Sequence, residues 1–377
     1  MKKILLVVNK ITEGGVEQVL CDFISSVHHE FEIQVLAIYQ TDSRYVQEIK
    51  KLVKVDFLDD KRKCFKNRIM KSLYSRMMDH LWIQQILYNR FVSSSNPDIH
   101  IAFSEGQATL LVAHNKNTNI RKQAWVHTDF LSEHTRENFY KYCAFWSRTY
   151  RLFYKIAFVS KTLEDKYKNI LGLHKTCCIY NSLNPLRISR LLNIENKEDI
   201  RPNTINFVVV GRLSYEKGVD RILKSLSKLP TKDLQKVCVV IIGEGKERKS
   251  LEDLAHKNNI KNNVVFMGSM SNPYAIMEQA HYVLSPSRYE AFGLVILEAL
   301  FLKKRIIATR TVGSIDILQN GHYGVVLENE DNAFDSVFSD IIHGNFSYKF
   351  PTNEDFEERC DFFSQAKFKN NIVNFIS

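Results

Sequence analysis

The sequence predicts an α/β protein made of two doubly wound domains, and three observations carry that reading. Short β-branched runs recur between helical patterns along the chain. They fall into two sets separated by a polar stretch rich in turn formers. The length of 377 residues, at about 150 per domain, suits two to three domains with enough apolar residues for more than one core.

The first set of runs is Ile4–Val8, Ile33–Ile38, Ile99–Phe103, Gln123–Val126 and Ile156–Val159. The second is Ile205–Val210, Lys236–Ile242, Asn263–Met267, Tyr282–Ser285 and Arg305–Ala308. Strands alternating with helices imply parallel sheets. Between the sets, strand periodicity lapses and turn formers cluster from Tyr180 to Pro185 and from Asn193 to Asn203. The expected divisions are therefore 1–184, a linker 185–203, 204–350, and a helical segment 351–377 that packs back on the first domain. Phe356 to Ile376 has the amphipathic pattern of a helix. No period signals a solenoid, and no tract is of low complexity. Ligands of doubly wound sheets bind at the carboxyl ends of the strands, so function is sought in the loops that follow strands.

Composition narrows the classes. Cysteines at 21, 64, 143, 177, 178, 238 and 360 are odd in number and form no C-x-x-C pair, so a reduced, cytoplasmic protein is expected. Met1-Lys2-Lys3 before Ile4–Val8 mimics a signal peptide, but the apolar run is short and reads as a first buried strand. No stretch reaches the roughly 18 apolar residues of a membrane span. The net charge of +10 favours anions of several kinds. Lys61, Arg62, Lys63, Lys66, Arg68, Lys71 and Arg76 run without an intervening acid, interleaved with Phe65, Ile69, Met70, Leu73 and Tyr74. Phe139 to Lys155 likewise mixes eight aromatics with Lys141, Arg148, Arg151 and Lys155. Each stretch reads either as a solvated helix face over an aromatic core or as a surface that docks peripherally on an anionic membrane. The bases form no recognisable nucleic-acid module, and no nucleic acid is expected.

Two strand-to-helix loops carry chemistry. Gly211-Arg212-Leu213-Ser214-Tyr215-Glu216-Lys217-Gly218 places two cations beside helix-start amides, which suits a diphosphate. The alternative is a surface loop with incidental charge. Ser285-Pro286-Ser287-Arg288-Tyr289-Glu290-Ala291-Phe292-Gly293-Leu294 sets Glu290 before a helix whose first amides, at Phe292, Gly293 and Leu294, suit phosphate oxygens. Glu298 follows within the apolar stretch Leu294–Leu302. A carboxylate there needs a partner, because burying it unpaired costs several kcal/mol. A ligand ribose is one candidate.

Glu290 and Glu298, with Phe292-Gly293 between them and Pro286-Ser287 before, resemble the E-x7-E motif of the retaining GT-B glycosyltransferases of family 4. Gly211-Arg212 to Lys217-Gly218 looks like that family's donor-phosphate loop. Gly243-Glu244-Gly245, Val265-Phe266-Met267-Gly268 and Gly321-His322-Tyr323-Gly324-Val325 fall in the family's order, and Glu13-Gly14-Gly15-Val16-Glu17 resembles its glycine-rich first loop. The resemblance implies a GT-B fold, two Rossmann-like domains facing each other across a deep cleft, with the acceptor on the first and a nucleotide sugar on the second. It implies that Arg212 and Lys217 neutralise the leaving diphosphate, that Glu290 holds hydroxyls of the transferred sugar, and that Glu298 holds the ribose. Amides of Phe292, Gly293 and Leu294 would bind the diphosphate, the loop at Gly268 would border the base, and Gly14 and Gly15 would let the first loop close over the phosphates. His127, at the end of a strand, would bond the donor sugar. A structural histidine is the alternative. Glu105, after the strand ending at Phe103, is a candidate to orient the acceptor or an ordinary capping residue.

The sequence departs from the family at Val312-Gly313-Ser314-Ile315-Asp316, one glycine short and with a shorter acid, and at Ala291 where a glycine is frequent. It holds no D-x-D pair, so metal-independent transfer without a cofactor is expected, with Arg212, Lys217 and helix amides supplying the positive field. The expected activity is retaining transfer of a hexose or N-acetylhexosamine, from a UDP-sugar as first choice, to a saccharide acceptor, lipid-linked, in cell-surface polysaccharide assembly. The competing readings are a nucleotide-sugar epimerase or phosphorylase on the same architecture, a basic nucleic-acid or anion-binding protein, and a dinucleotide oxidoreductase. The last rests on Gly243-Glu244-Gly245, and Arg248 stands where a third glycine is needed.

Overall fold

The computed structural model describes residues 1–59, 72, 74, 76–117, 119–132, 139–193, 201–348 and 350–377. The run Lys61, Arg62, Lys63, Lys66, Arg68 lies outside the described residues. The chain divides into two compact units, Met1–Ser182 with Gln365–Ser377, and Leu183–Ser364.

The first unit is built on a seven-stranded sheet: β1 (Lys3–Val8), β2 (Glu32–Ala37), β3 (Lys54–Phe57), β4 (Ile99–Ala102), β5 (Arg121–Val126), β6 (Lys155–Phe158) and β7 (Thr176–Cys178). The order is β3-β2-β1-β4-β5-β6-β7 and every pairing is parallel. The second unit holds β8 (Ile205–Val210), β9 (Val237–Ile242), β10 (Val264–Gly268), β11 (Tyr282–Ser285), β12 (Arg305–Thr309) and β13 (Val325–Leu327), in the order β10-β9-β8-β11-β12-β13, again all parallel. Helices on both faces explain why a strand such as β9, Val-Cys-Val-Val-Ile-Ile, is apolar throughout and buried at every position. Each sheet reverses its winding once, at β1/β4 and at β8/β11. Those are the points where doubly wound sheets open a crevice for ligands.

Three strands escape the sequence reading: β3, β7 and β13. All are edge strands of three or four residues, only partly buried and too short to stand out as strand runs. Part of the expected linker is helical. Asn184-Pro185 reads as a turn, but here Asn184 caps the helix Pro185–Leu192 by accepting from the Arg187 amide at 3.0 Å, with proline in the first turn. This helix belongs to the second unit. Of the segment 351–377, the helix Asn353–Phe362 also stays in the second unit, where Arg359 donates to the carbonyls of Ile317 and Asp316. Only Gln365–Ser377 joins the first.

There the helix Gln365–Ile376 closes an aromatic core. Phe23, Phe103, Trp125, Phe368 and Phe375 are all buried, and the Trp125 and Phe375 rings meet edge to face at 5.6 Å. Gln123 donates to the Phe375 carbonyl at 2.6 Å. The stretch Phe139 to Lys155 divides: Trp146, Tyr150 and Phe153 are core residues, whereas Tyr140, Phe145 and Tyr154 are exposed. No helix among the described residues is long and apolar enough to cross a membrane.

All three tryptophans, Trp82, Trp125 and Trp146, lie in the first unit, so intrinsic fluorescence reports on that unit. Phe375→Ala is expected to shift its denaturant midpoint downward, by a stability loss of about 3–5 kcal/mol. An unchanged midpoint would mean that the carboxyl-terminal helix does not hold this core.

Candidate functional site

The site is best built at β8/β11, where the two motif loops leave neighbouring strands. The loop after β8 meets the loop after β11 through the backbone: the Arg288 amide donates to the Glu216 carbonyl at 2.7 Å. Gly218 makes this approach possible. Its φ is +64° and a Cβ would stand 2.2 Å from the Pro286 carbonyl oxygen, so only glycine fits.

A buried guanidinium then locks the two loops together. Arg288 grips both oxygens of Asp220 at 2.7 and 2.9 Å, donates to the Tyr215 carbonyl at 3.0 Å, and stands 4.2 Å from the Tyr215 ring centroid. It also reaches Asp331 at 3.0 Å, which Arg221 binds at 2.9 Å. Asn329 donates to the Arg288 carbonyl at 2.9 Å. Burial pushes the Asp220 carboxyl up, but bonds from Arg288 and Lys224 outweigh it and hold the group at about 2, against an ordinary 3.8. Asp220 and its bonds to Arg288 raise the guanidinium in turn.

On this platform Lys217 and Glu290 meet as an ion pair at 2.5 Å, largely shielded from solvent. The Ser287 hydroxyl adds a bond to the same Glu290 oxygen at 3.4 Å. Arg212, on the same loop as Lys217, is exposed. Phe292 is buried, Gly293 has φ +97°, and the helix Leu294–Phe301 begins there. Its first amides have no carbonyl within the helix to receive them. Glu298, 8% exposed, has a protein partner: the Tyr274 hydroxyl donates to Oε1 at 2.9 Å.

The sequence departures find physical accounts. Val312–Ile317 forms a helix with a Thr311/Ser314 capping box, and its single glycine sits where a Cβ would lie 2.1 Å from the Phe292 carbonyl oxygen. The Gly313 amide donates to the Glu290 carbonyl at 2.9 Å. Gly243 and Gly245 pack against the carbonyls of Gly211 and Leu213, where a Cβ would come within 1.8 and 2.2 Å. Loop packing accounts for that glycine pair, and Arg248 pairs with Glu244 and Glu252. Gly268, at the end of β10 with φ +74°, accepts from the Gly243 amide at 2.7 Å.

In the first unit His127 directly follows β5, 7% exposed, between the Phe103 ring at 4.6 Å and the Trp125 ring at 5.9 Å. Burial lowers it to about 3, so it is neutral at ordinary pH. Its Nε2 is buried without a hydrogen-bond partner among the described residues, the kind of vacancy that calls for an explanation. Glu105 does not stand apart from it: Oε1 accepts the amides of His127 and Thr128 at 2.5 and 2.8 Å. That bond gives Glu105 a structural task. Burial raises its carboxyl against the pull of those amides. Gly14 precedes the helix Gly15–Val27 with ordinary extended φ, and Glu17 ties the loop by accepting from the Thr12 amide and hydroxyl at 3.0 and 2.8 Å.

Sequence reasoning passed over Asp220, Arg288, Asp331, Tyr274 and Asn9. Asn9, directly after β1, donates to the Glu105 carbonyl at 2.6 Å and accepts from the Ala108 amide at 2.9 Å. Its place at the end of a buried strand was the available signal, as was the position of Arg288 two residues before Glu290. Among the described residues no group of three His, Cys, Asp or Glu side chains gathers that could hold a metal ion.

Fold and loops define two doubly wound α/β units, the second with charged loops and a helix start at its switch point. Residues 192–359 of the second unit match the model of the glycosyl transferases group 1 family. The chain is similar to an α-1,4-N-acetyl-D-galactosaminyltransferase of Campylobacter jejuni, named for a diNAcBac-PP-undecaprenol-linked GalNAc substrate, at 22% identity over all of this chain and 99% of that one. It is 30% identical to the capsular polysaccharide biosynthesis glycosyltransferase CapM of Staphylococcus aureus over 46% of this chain and 48% of that one. The match to the first curated relatives spans half of their length or less. Among solved structures, HepE of Anabaena in complex with UDP superposes with a TM-score of 0.73 at 17% identity, covering 100% of this chain and 99% of that one. The fold is therefore GT-B, two parallel-sheet Rossmann-like units.

Asp220→Asn is expected to lower the stability of the second unit by about 2 kcal/mol at neutral pH. Because the carboxyl is depressed in the folded state, that contribution is complete above about pH 4 and fades as pH falls toward 2. Denaturation followed by circular dichroism at several pH values checks this. A difference between wild type and variant that does not shrink in acid would show that the pairing is not its source.

Proposed function

We propose that the protein transfers a hexose or N-acetylhexosamine from a nucleotide sugar, with UDP as the first choice of nucleotide, to a lipid-linked saccharide acceptor in cell-surface polysaccharide synthesis. The observation that carries this is the junction at β8/β11, where Lys217, Glu290 and the start of the helix Leu294–Phe301 come together on loops pinned by Arg288. A cation, an oriented carboxylate and helix-start amides at a switch point suit a sugar diphosphate. The UDP bound by HepE and the undecaprenol-linked substrate named for the Campylobacter relative lend support to the donor and acceptor classes.

In this reading Arg212, Lys217 and the amides of Phe292, Gly293 and Leu294 take the diphosphate, with Gly268 beside the base and Gly14 and Gly15 in the first loop. Glu290 accepts from sugar hydroxyls and Glu298 from the ribose. His127, neutral and with Nε2 unpartnered, bonds a hydroxyl of the donor sugar. The bond between the anomeric carbon and the diphosphate oxygen breaks, the acceptor oxygen bonds to that carbon, and the acceptor proton passes to the leaving phosphate on the same face. Configuration is retained, and the developing negative charge falls on Arg212, Lys217 and the amides. The side chains supply the positive field, so no metal is needed.

The test is a binding and transfer panel of UDP-, GDP- and ADP-sugars with and without chelator. One nucleotide sugar is expected to raise the melting temperature, with transfer unchanged by chelation. Arg212→Ala and Glu290→Ala are each expected to lower kcat/KM at least tenfold, the scale of a lost charge-assisted bond of about 1.5–3 kcal/mol. Loss of activity on chelation, or an inverted product, would overturn the mechanism. Failure of every donor would overturn the function.

Peripheral contact with an anionic membrane is the remaining part of the reading. Trp82 and Ile86 on the helix Leu81–Ser95 are 64% and 58% exposed, a short distance along the chain from the basic run Lys61–Arg76. Sedimentation with vesicles containing anionic lipid at low salt is expected, and release at high salt. Equal binding to neutral vesicles, or none to anionic ones, would remove this part.

A further inference from the structure

We propose that Tyr274 is a positioning residue for Glu298, holding its carboxylate for two-point recognition of a ribose diol and so making the site selective for ribonucleotides over 2′-deoxyribonucleotides. The inference rests on the donor reading of the second unit and adds the residues that make it stringent.

Tyr274 opens the helix Tyr274–Gln279 and is buried, while Glu298 lies on the second turn of the helix Leu294–Phe301. The phenol donates to Glu298 Oε1 at 2.9 Å, and Arg187 Nη2 donates to the phenol oxygen at 3.4 Å. Arg187 is itself fixed. Its amide is capped by Asn184 at 3.0 Å, and Asn272, two residues before Tyr274, donates to the Leu191 carbonyl at 2.7 Å. Three elements thus converge on one carboxylate.

A phenylalanine ring would fill the same apolar space, so packing does not account for the hydroxyl. A hydrogen bond to an ionised carboxylate is about twice as strong as one between neutral groups, and the guanidinium polarises the phenol toward Glu298. A carboxylate has about four acceptor positions. With one oxygen tied to Tyr274, the group cannot swing freely, and its capacity for adjacent hydroxyls is presented in one geometry. Loss of that tie removes one restraint on the carboxylate, so its geometry toward a diol is less sharply set and selectivity between a diol and a single hydroxyl falls.

The experiment compares wild type with Tyr274→Phe, Glu298→Gln and Arg187→Met by titration calorimetry, using UDP, GDP and ADP, each against its 2′-deoxy counterpart. Wild type is expected to prefer the ribose form of its nucleotide at least tenfold. Tyr274→Phe is expected to weaken the ribose form about five- to tenfold while leaving the deoxy form nearly unchanged, and Arg187→Met to move the ratio in the same direction by less. Equal weakening of both forms, or a wild-type ratio in Tyr274→Phe beside a collapsed ratio in Glu298→Gln, would overturn the positioning role and leave the donor site standing. A wild-type ratio in Glu298→Gln, or no nucleotide bound by wild type, would remove the donor reading and this inference with it.

Discussion

The second unit depends on one buried cation. Arg288 binds Asp220 with both arms, covers the Tyr215 ring, and shares Asp331 with Arg221. Burying a guanidinium is costly unless its donors are satisfied, and here the partners come from the loop and helix after β8 and from the segment after β13. Satisfying Arg288 therefore fixes both loops at once. Lys217 lies three residues before Asp220, and Glu290 two residues after Arg288. Their 2.5 Å approach follows from the lock beneath them.

Close backbone approach is the second constraint. Gly218, Gly243, Gly245 and Gly313 each stand where a Cβ would fall within 2.2 Å of a carbonyl oxygen of another loop. The contacts run from Gly211 and Leu213 to the loop after β9, and from Phe292 to the helix after β12. Loops that leave neighbouring strands are thus stacked with no side chain between them. This is why a sequence stretch that looks like half of a dinucleotide fingerprint serves here as packing, and why one glycine suffices in Val312–Ile317.

Much of this was legible in the sequence, and what was legible has a common cause. Interior parallel strands are apolar on both faces, so β1, β2, β4, β5, β6, β8, β9, β11 and β12 announce themselves as runs, as does the edge strand β10, whereas β3, β7 and β13 are edges of three or four residues that are only partly buried. The two motif loops are local in sequence, so Arg212, Lys217, Glu290 and Glu298 could be singled out together. Partners brought together only by folding could not. Tyr274 meets Glu298 across 24 positions and Arg187 across 87, and Arg288 finds Asp220 across 68. Asn184-Pro185 was ambiguous for a different reason, since the same two residues start a turn or cap a helix, and only the helix that follows decides.

The Lys217–Glu290 pair bears on how a diphosphate is received. Without ligand, the ammonium and the carboxylate neutralise each other in a part-buried place where either alone is expensive. On the proposed reading an arriving diphosphate would compete with Glu290 for Lys217, and the same exchange would turn Glu290 from an ion-pair partner into an acceptor for sugar hydroxyls. Arg212 lies exposed on the same loop, where the proposed reading has it meet the diphosphate. A ligand with phosphate but no sugar would leave Glu290 without a new partner, and one with sugar but no phosphate would leave Lys217 in place. On the proposed reading the exchange is complete only for a molecule that presents a diphosphate and the hydroxyls of a further sugar together.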